Sequence, residues 1–151
     1  MKTLLPILHK LYRIPAKSKN EKQMIQYIST LIEHLSDDIK VEVTNNNIYV
    51  TRGEAETYPC IVCHTDQVQE NNKHISVLQV DDLLLGFDFT KKKQVGLGAD
   101  DKNGIILAIK AIISFPVIKA CFFHGEEIGC IGSTACDMEF FSNCRYVIQC
   151  D

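Results

Sequence analysis

Leu97-Gly98-Ala99-Asp100-Asp101-Lys102-Asn103-Gly104, backed by the apolar run 105–113, is the stretch whose reading decides the fold. Two adjacent carboxylates stand where an extended segment turns into a helix. In a doubly wound α/β domain such a corner opens onto the crevice where ligands bind. The helix predicted over 102–114 is apolar nearly all round, which reads as buried rather than surface-lying, and Pro116 stops it.

Outward from that corner the chain alternates between β-like and helical patterns. Downstream, 117–123 reads as a strand, 133–141 as a short helix and 146–150 as a last strand leading into Asp151. Upstream, 59–63 is an apolar run of the kind buried on both faces of a central sheet. Two hairpins are predicted, one joining 41–43 to 48–50 across Asn45-Asn46-Asn47, the other joining 75–80 to 83–87 across Asp81-Asp82. A short helix over 3–12 ends before Pro15. Ser18 with Glu21 makes a capping-box pattern for an amphipathic helix over 19–36, with Met24, Ile28, Leu31, Ile32 and Leu35 on one face. The order predicts an α/β fold: a three-layer, mixed and mostly parallel sheet with helices on both faces.

A chain of 151 residues that is 46% hydrophobic is long enough for one domain with its own core. Its net charge of −3 comes with no basic stripe, which excludes the electrostatic footprint of a nucleic-acid binder; Lys91-Lys92-Lys93 reads as a solvated turn. The first twelve residues carry Lys2, His9 and Lys10 and lack the uninterrupted apolar core of a secretion signal, and no run has transmembrane length, so no membrane partner and a cytoplasmic location are expected. Seven cysteines, an odd number, then read as reduced thiols. Cys60 and Cys63 form a CxxC pair, but inside a strand residues three apart face opposite sides, and no second CxxC completes a four-thiolate site.

The chemistry gathers at strand ends. His64 and Asp66 stand two apart on extended backbone and so point the same way, and a ligating imidazole usually has its other nitrogen held by a carboxylate. Glu126 and Glu127 follow the strand 117–123; adjacent side chains diverge, which lets one hold a metal while the other stays free as a base. One residue of the Asp100-Asp101 pair reads as a helix N-cap, which leaves the other over. His124 is set aside as an extra ligand. Two like charges about 4 Å apart repel by roughly 4 kcal/mol at an effective dielectric of about 20. Lys102 is one charge and cannot balance the set, so divalent metal is expected, with mixed His and carboxylate ligation suiting zinc and admitting manganese or cobalt.

The series HTD at 64–66, LGADDKNG at 97–104 and GEEIGCIGS at 125–133, followed by a strand ending in Asp151, resembles the peptidase T and aminoacylase family of co-catalytic zinc metallopeptidases, the tripeptidase branch most of all. The resemblance covers essentially the whole chain, including the amino-terminal helices, the Ile14-Pro15 step and the Asn47 strand. It implies that His64, Asp100 and Asp151 hold a first Zn2+, that Asp100 and Glu127 hold a second, that Asp66 orients His64 and that Glu126 is the general base. It also implies a cis Asp100–Asp101 peptide. The function implied is a metal-dependent exopeptidase, a di- or tripeptidase or aminopeptidase, that cleaves short peptides with a metal-activated water; an N-acyl amino acid deacylase and a non-catalytic metal-binding fragment are the alternatives.

Family members carry a lid or dimerisation domain after the Asp151 position and a late histidine that completes the second metal site. Residues 1–151 are therefore expected to be the amino-terminal portion of the catalytic domain, cut before that lid, with the first metal held more firmly than the second. A homodimer is among the expected partners, since such a chain exposes an apolar sheet edge and self-associates.

Overall fold

The computed structural model describes residues 4–70 and 74–151. Helices α1 (Leu5–Arg13) and α2 (Lys22–Glu33) precede strands β1 (Ile39–Thr44), β2 (Asn47–Arg52) and β3 (Tyr58–His64). A meander of β4 (Ile75–Val80), β5 (Leu83–Asp88) and β6 (Lys93–Val95) follows, then α3 (Ala99–Ser114), β7 (Ile118–Phe123), the short helices α4 (Ile131–Thr134) and α5 (Met138–Phe141), and β8 (Cys144–Gln149). Thr3 of the expected first helix lies outside the described residues.

The main sheet has five strands in the order β1-β2-β7-β3-β8. It is mixed: β1, β2 and β7 run antiparallel to one another in turn, while β3 pairs parallel with both β7 and β8. The parallel block at β7, β3 and β8 delivers three strand ends to one rim, and that rim carries the site. Beside it β4, β5 and β6 form a separate three-stranded antiparallel sheet. Its first hairpin turns at Asp81-Asp82, as the sequence suggests, whereas β6 was not foreseen; only Lys91 and Lys92 of the lysine triplet lie in the turn, and Lys93 opens the strand.

Alternation along the central strands divides the core in two. Ile118, Ala120 and Phe122 of β7 face α1, α2 and α3 and join Leu11, Met24, Ile28, Ile32, Ile105, Ile109 and Ile112, each at most 4% exposed. Burying one such isoleucine contributes roughly 2 kcal/mol. Cys121 points the other way, with Tyr49, Cys60 and Val62, beneath Phe140 and Phe141. Lys119, also on that face, is buried with its Nζ bonded to Phe140 O and Asn143 Oδ1, which staples α5 to the sheet. Helices thus cover both faces, as expected, though the second face has only the short α4 and α5. Cys63 packs in the first cluster and Cys60 in the second, as a strand requires of positions three apart, and all seven cysteines are free thiols.

Some expectations need correction. α3 is not buried all round: Asn103, Leu107, Lys110, Ile113 and Ser114 make an exposed stripe that no element among the described residues covers, and Leu107 and Ile113 are apolar residues in that stripe. The helix expected over 133–141 is interrupted at residues 135–137, where Asp137 accepts a bond from Glu139 N and starts α5 afresh. Ser18 does not cap α2, which begins at Lys22 with no side-chain cap. No helix among the described residues is long and apolar enough to cross a membrane.

Candidate metal centre

β3 ends in His64, β7 runs out into a 3-10 turn over Glu126–Ile128, β8 is followed by Asp151, and α3 opens with Asp100 and Asp101 against the end of β3. Ligand atoms of His64, Asp100 and Asp151 all lie within 4.8 Å of one another, and so do those of His64, Glu126 and Glu127. His64 is the shared member, 3% exposed, with the carboxylates of Asp100 and Asp151 open to solvent.

The imidazole is clamped from both sides. Its Nδ1 lies 3.2 Å from Asp66 Oδ1 and its Nε2 2.9 Å from Asp100 Oδ1. Burial disfavours its cation, but the hydrogen bond to Asp66, the charge of Asp101 and the bond to Asp100 outweigh that and push its pKa up to about 9. The surrounding carboxylates thus favour the imidazolium form of His64.

Asp66 is buried and organises the rim. Its Oδ1 accepts from Glu126 N at 2.9 Å, and its Oδ2 accepts from Ser18 Oγ at 2.7 Å and Glu127 N at 3.2 Å. Burial opposes its charge, but the bonds from His64, Ser18 and Glu126 hold its carboxyl below the usual range. One carboxylate therefore fixes both the imidazole and the turn that presents the two glutamates.

The adjacent aspartates have separate tasks. Asp100 is 64% exposed and faces His64. Asp101 is 3% exposed and turns inward, where its Oδ2 accepts from His64 N at 3.2 Å and its Oδ1 from Gly104 N at 2.8 Å. The backbone at Asp100 and Asp101 is non-helical, and Asp101 caps the regular part of α3 that follows, seated three residues before the N–H it accepts. Burial raises its pKa to about 6, against the opposing pull of those two bonds. The Asp100–Asp101 peptide is cis, as the resemblance implies.

Asp66, Asp100, Asp101, Glu126, Glu127 and Asp151 thus surround one imidazole, and Lys102 does not answer them. Its Nζ is buried and donates to Ile14 O at 3.0 Å and Leu97 O at 3.1 Å, and burial lowers its pKa to about 8. Glu127 registers the excess: partial burial raises its pKa, and the charges of Asp100, Glu126 and Asp66 raise it further, with His64 opposing. One imidazole and several convergent carboxylates with no lysine or arginine among the described residues paired to them fit a divalent cation of the zinc, manganese or cobalt type.

No family model and no curated protein sequence matches the chain. Solved structures do. The aminopeptidase PepT from Bacillus cereus superposes with a TM-score of 0.81 at 21% identity, over 98% of this chain and 42% of that one. The chain shares the fold of the matching part of PepT. A tripeptidase from Staphylococcus aureus gives 0.75 at 21% identity, over 97% of this chain and 42% of that one. Human carnosine dipeptidase 1 gives 0.75 at 17% identity, over 98% and 38%. The fold expected from the resemblance is therefore the fold observed, and the chain spans about two fifths of the length of these neighbours.

Within this PepT fold the six residues singled out from the sequence, His64, Asp66, Asp100, Glu126, Glu127 and Asp151, all stand at one rim, and His124 belongs to neither metal-capable group. Three supporting residues were missed. Glu21, 5% exposed, accepts from Gly125 N at 2.8 Å; Ser18 bonds Asp66; and Asn47, fully buried, accepts from His124 N at 3.1 Å and donates to Gly132 O at 2.8 Å. The capping-box and turn patterns gave all three a local explanation, and only long-range contact reveals the other. Cys130 was missed too; its thiol donates to Glu126 Oε1 at 3.5 Å.

Proposed function

We propose that the chain carries the metal-binding half of a metal-dependent exopeptidase centre acting on short peptides. His64, Asp100 and Asp151 hold one divalent cation and Asp100 with Glu127 reaches toward a second, while Asp66 orients His64 and Glu126 handles the proton. The observation that carries this reading is the convergence of carboxylates from two strand ends and one helix start on His64, at the end of a third strand, with no lysine or arginine among the described residues paired to them. When bound, the metal supplies Lewis acidity toward a carbonyl and toward water.

The chain's own residues divide the remaining work. Asp66 keeps the imidazole facing the carboxylates and fixes the backbone of the Glu126–Glu127 turn. Glu126 takes a proton from water and delivers it to the departing amine, a role supported by its lying in the same cluster as His64 and Glu127. The free thiols support a reducing, cytoplasmic setting.

Glu126→Gln tests the division of labour, since it removes a base and leaves the ligands. Metal content by mass spectrometry stays at the wild-type level, and any turnover of a tripeptide panel disappears. Retained turnover would reassign the base. Loss of metal would make Glu126 a ligand. Hydrolysis of N-acetyl amino acids in preference to tripeptides would favour the deacylase reading.

A further inference from the structure

β3 and β8 run parallel, and their ladder brings two thiols face to face at its carboxyl end. Val62 pairs with Gln149, and Cys150 N then donates to Val62 O at 2.9 Å, the bond with which a parallel ladder takes its next step. That step sets Cys63 opposite Cys150. Opposed residues on parallel neighbours point to the same face, and both side chains pack in the core cluster on the helical side of the sheet, Cys63 within it and Cys150 against it. Neighbouring strands lie about 4.8 Å apart, inside the roughly 4.4–6.8 Å between Cα atoms that a disulfide spans. The pairing is internal to the ladder and does not depend on anything beyond residue 151.

No other two thiols among the described residues are opposed in this way. Cys60 faces the other side of the sheet opposite Val147, while Cys144 stands opposite Tyr58, with a bulge between the two pairs. The thiols of Cys60 and Cys144 meet in a hydrogen bond. Their backbones are offset along the strands, however, and diagonal neighbours lie about 7–8 Å apart, beyond the span of a disulfide. Cys121 is opposite Tyr49 and Val62. Cys130 donates to Glu126, and Cys136 lies 3.7 Å from Met138 Sδ. The CxxC pair of the sequence is therefore divided, and the partner of Cys63 comes from far along the chain.

We propose that Cys63 and Cys150 form a redox-modification site, closed to a disulfide by hydroperoxides and reopened by thiols. One sulfur attacks the O–O bond of hydrogen peroxide and keeps one oxygen as a sulfenic acid, while the other oxygen leaves as water. The second thiol then attacks that sulfur, the S–S bond forms, and the displaced hydroxyl takes the thiol proton and leaves as a second water. Two thiols are oxidised and one peroxide is reduced. Burial pushes both thiols up and the charge of Asp101 adds to it, so closure is slow beside that of a solvated thiolate. In a reducing compartment such a bond is transient and responds to oxidant. It stands one residue before His64 on β3 and one before Asp151 beyond β8, and so ties together two strand ends of the candidate centre.

The site does not rest on the metal reading, and the test is run with EDTA present so that the two fail separately. The folded protein is treated with hydrogen peroxide, blocked with N-ethylmaleimide and mapped by mass spectrometry without reduction, with fragmentation to tell Cys63 from Cys60. A link from Cys63 to Cys150 within one chain exceeds every other linked pair by about tenfold or more, because the fold holds the two sulfurs together. It disappears with dithiothreitol and loses its lead when the oxidation is done in urea. Cys150→Ser abolishes the link and Cys144→Ser leaves it, with circular dichroism native in both. A dominant link between Cys60 and Cys144, a link between chains, or sulfinic acid at Cys150 beside an intact Cys63 would overturn the proposal. So would the same preference in urea as in the folded protein.

Discussion

Gly104→Ala sets local propensity against tertiary packing. Gly104 lies inside α3, and on helix propensity alone alanine there should stabilise the fold by about 1 kcal/mol. The structure reverses the sign. A Cβ on Gly104 would stand 2.2 Å from Asp101 Oδ1, 2.4 Å from Oδ2 and 2.5 Å from Cγ, so the carboxylate has to leave its seat. Asp101 is 3% exposed and holds two backbone N–H groups, those of His64 and Gly104. Bonds to a charged group are worth about 1.5–3 kcal/mol each; losing most of two, less the propensity gain, leaves a net destabilisation of about 3 kcal/mol. For a domain of this size that corresponds to a fall of roughly 6–12 °C in Tm. Thermal and urea unfolding of the metal-free protein measure it. The double-mutant cycle with Asp101→Ala isolates the cause: with the carboxylate gone, Gly104→Ala becomes neutral or slightly stabilising. An unchanged or raised Tm in the single variant, or the same loss in both backgrounds, would refute the packing argument.

Asp100→Asn leaves the fold in place, because this side chain is largely exposed, and lowers zinc affinity by about tenfold or more, since an amide is a poorer ligand than a carboxylate; isothermal titration with unchanged affinity would remove Asp100 from the centre. The pH dependence of zinc binding has a fixed sign. His64 has a pKa of about 9 without metal, metal takes the neutral imidazole, and so a proton leaves on binding at pH 7 to 8. Apparent affinity therefore rises about tenfold per pH unit over that interval, and a chelator competition that finds it flat would show that His64 loses no proton there. Asn47→Ala destabilises by about 2 kcal/mol, because His124 N and Gly132 O lose their partner beside the glutamate turn; native-state hydrogen exchange should show that turn opening first, and uniform protection would count against the tie.

What the sequence determined by itself is the inventory and its order. Apolar runs at 59–63 and 117–123 with an apolar helix between them could bury that surface only as a layered α/β sheet, and carboxylates placed just beyond strand ends could only gather at the strands' carboxyl rim. Strand alternation and strand-end position, which are local properties, made His64, Asp66 and the pairs Asp100-Asp101 and Glu126-Glu127 stand out, while the choice within each pair and the weight given to Asp151 came from the family resemblance. Tertiary structure alone decided the rest. Which of Asp100 and Asp101 faces outward depends on Gly104 leaving room for a buried carboxylate. Whether Ser18 and Glu21 cap their own helix or brace Asp66 and Gly125 depends on chain brought up from far away. The outer stripe of α3 depends on what packs against it, and an apolar pattern records a residue's preference for burial without recording whether a neighbour arrives to satisfy it.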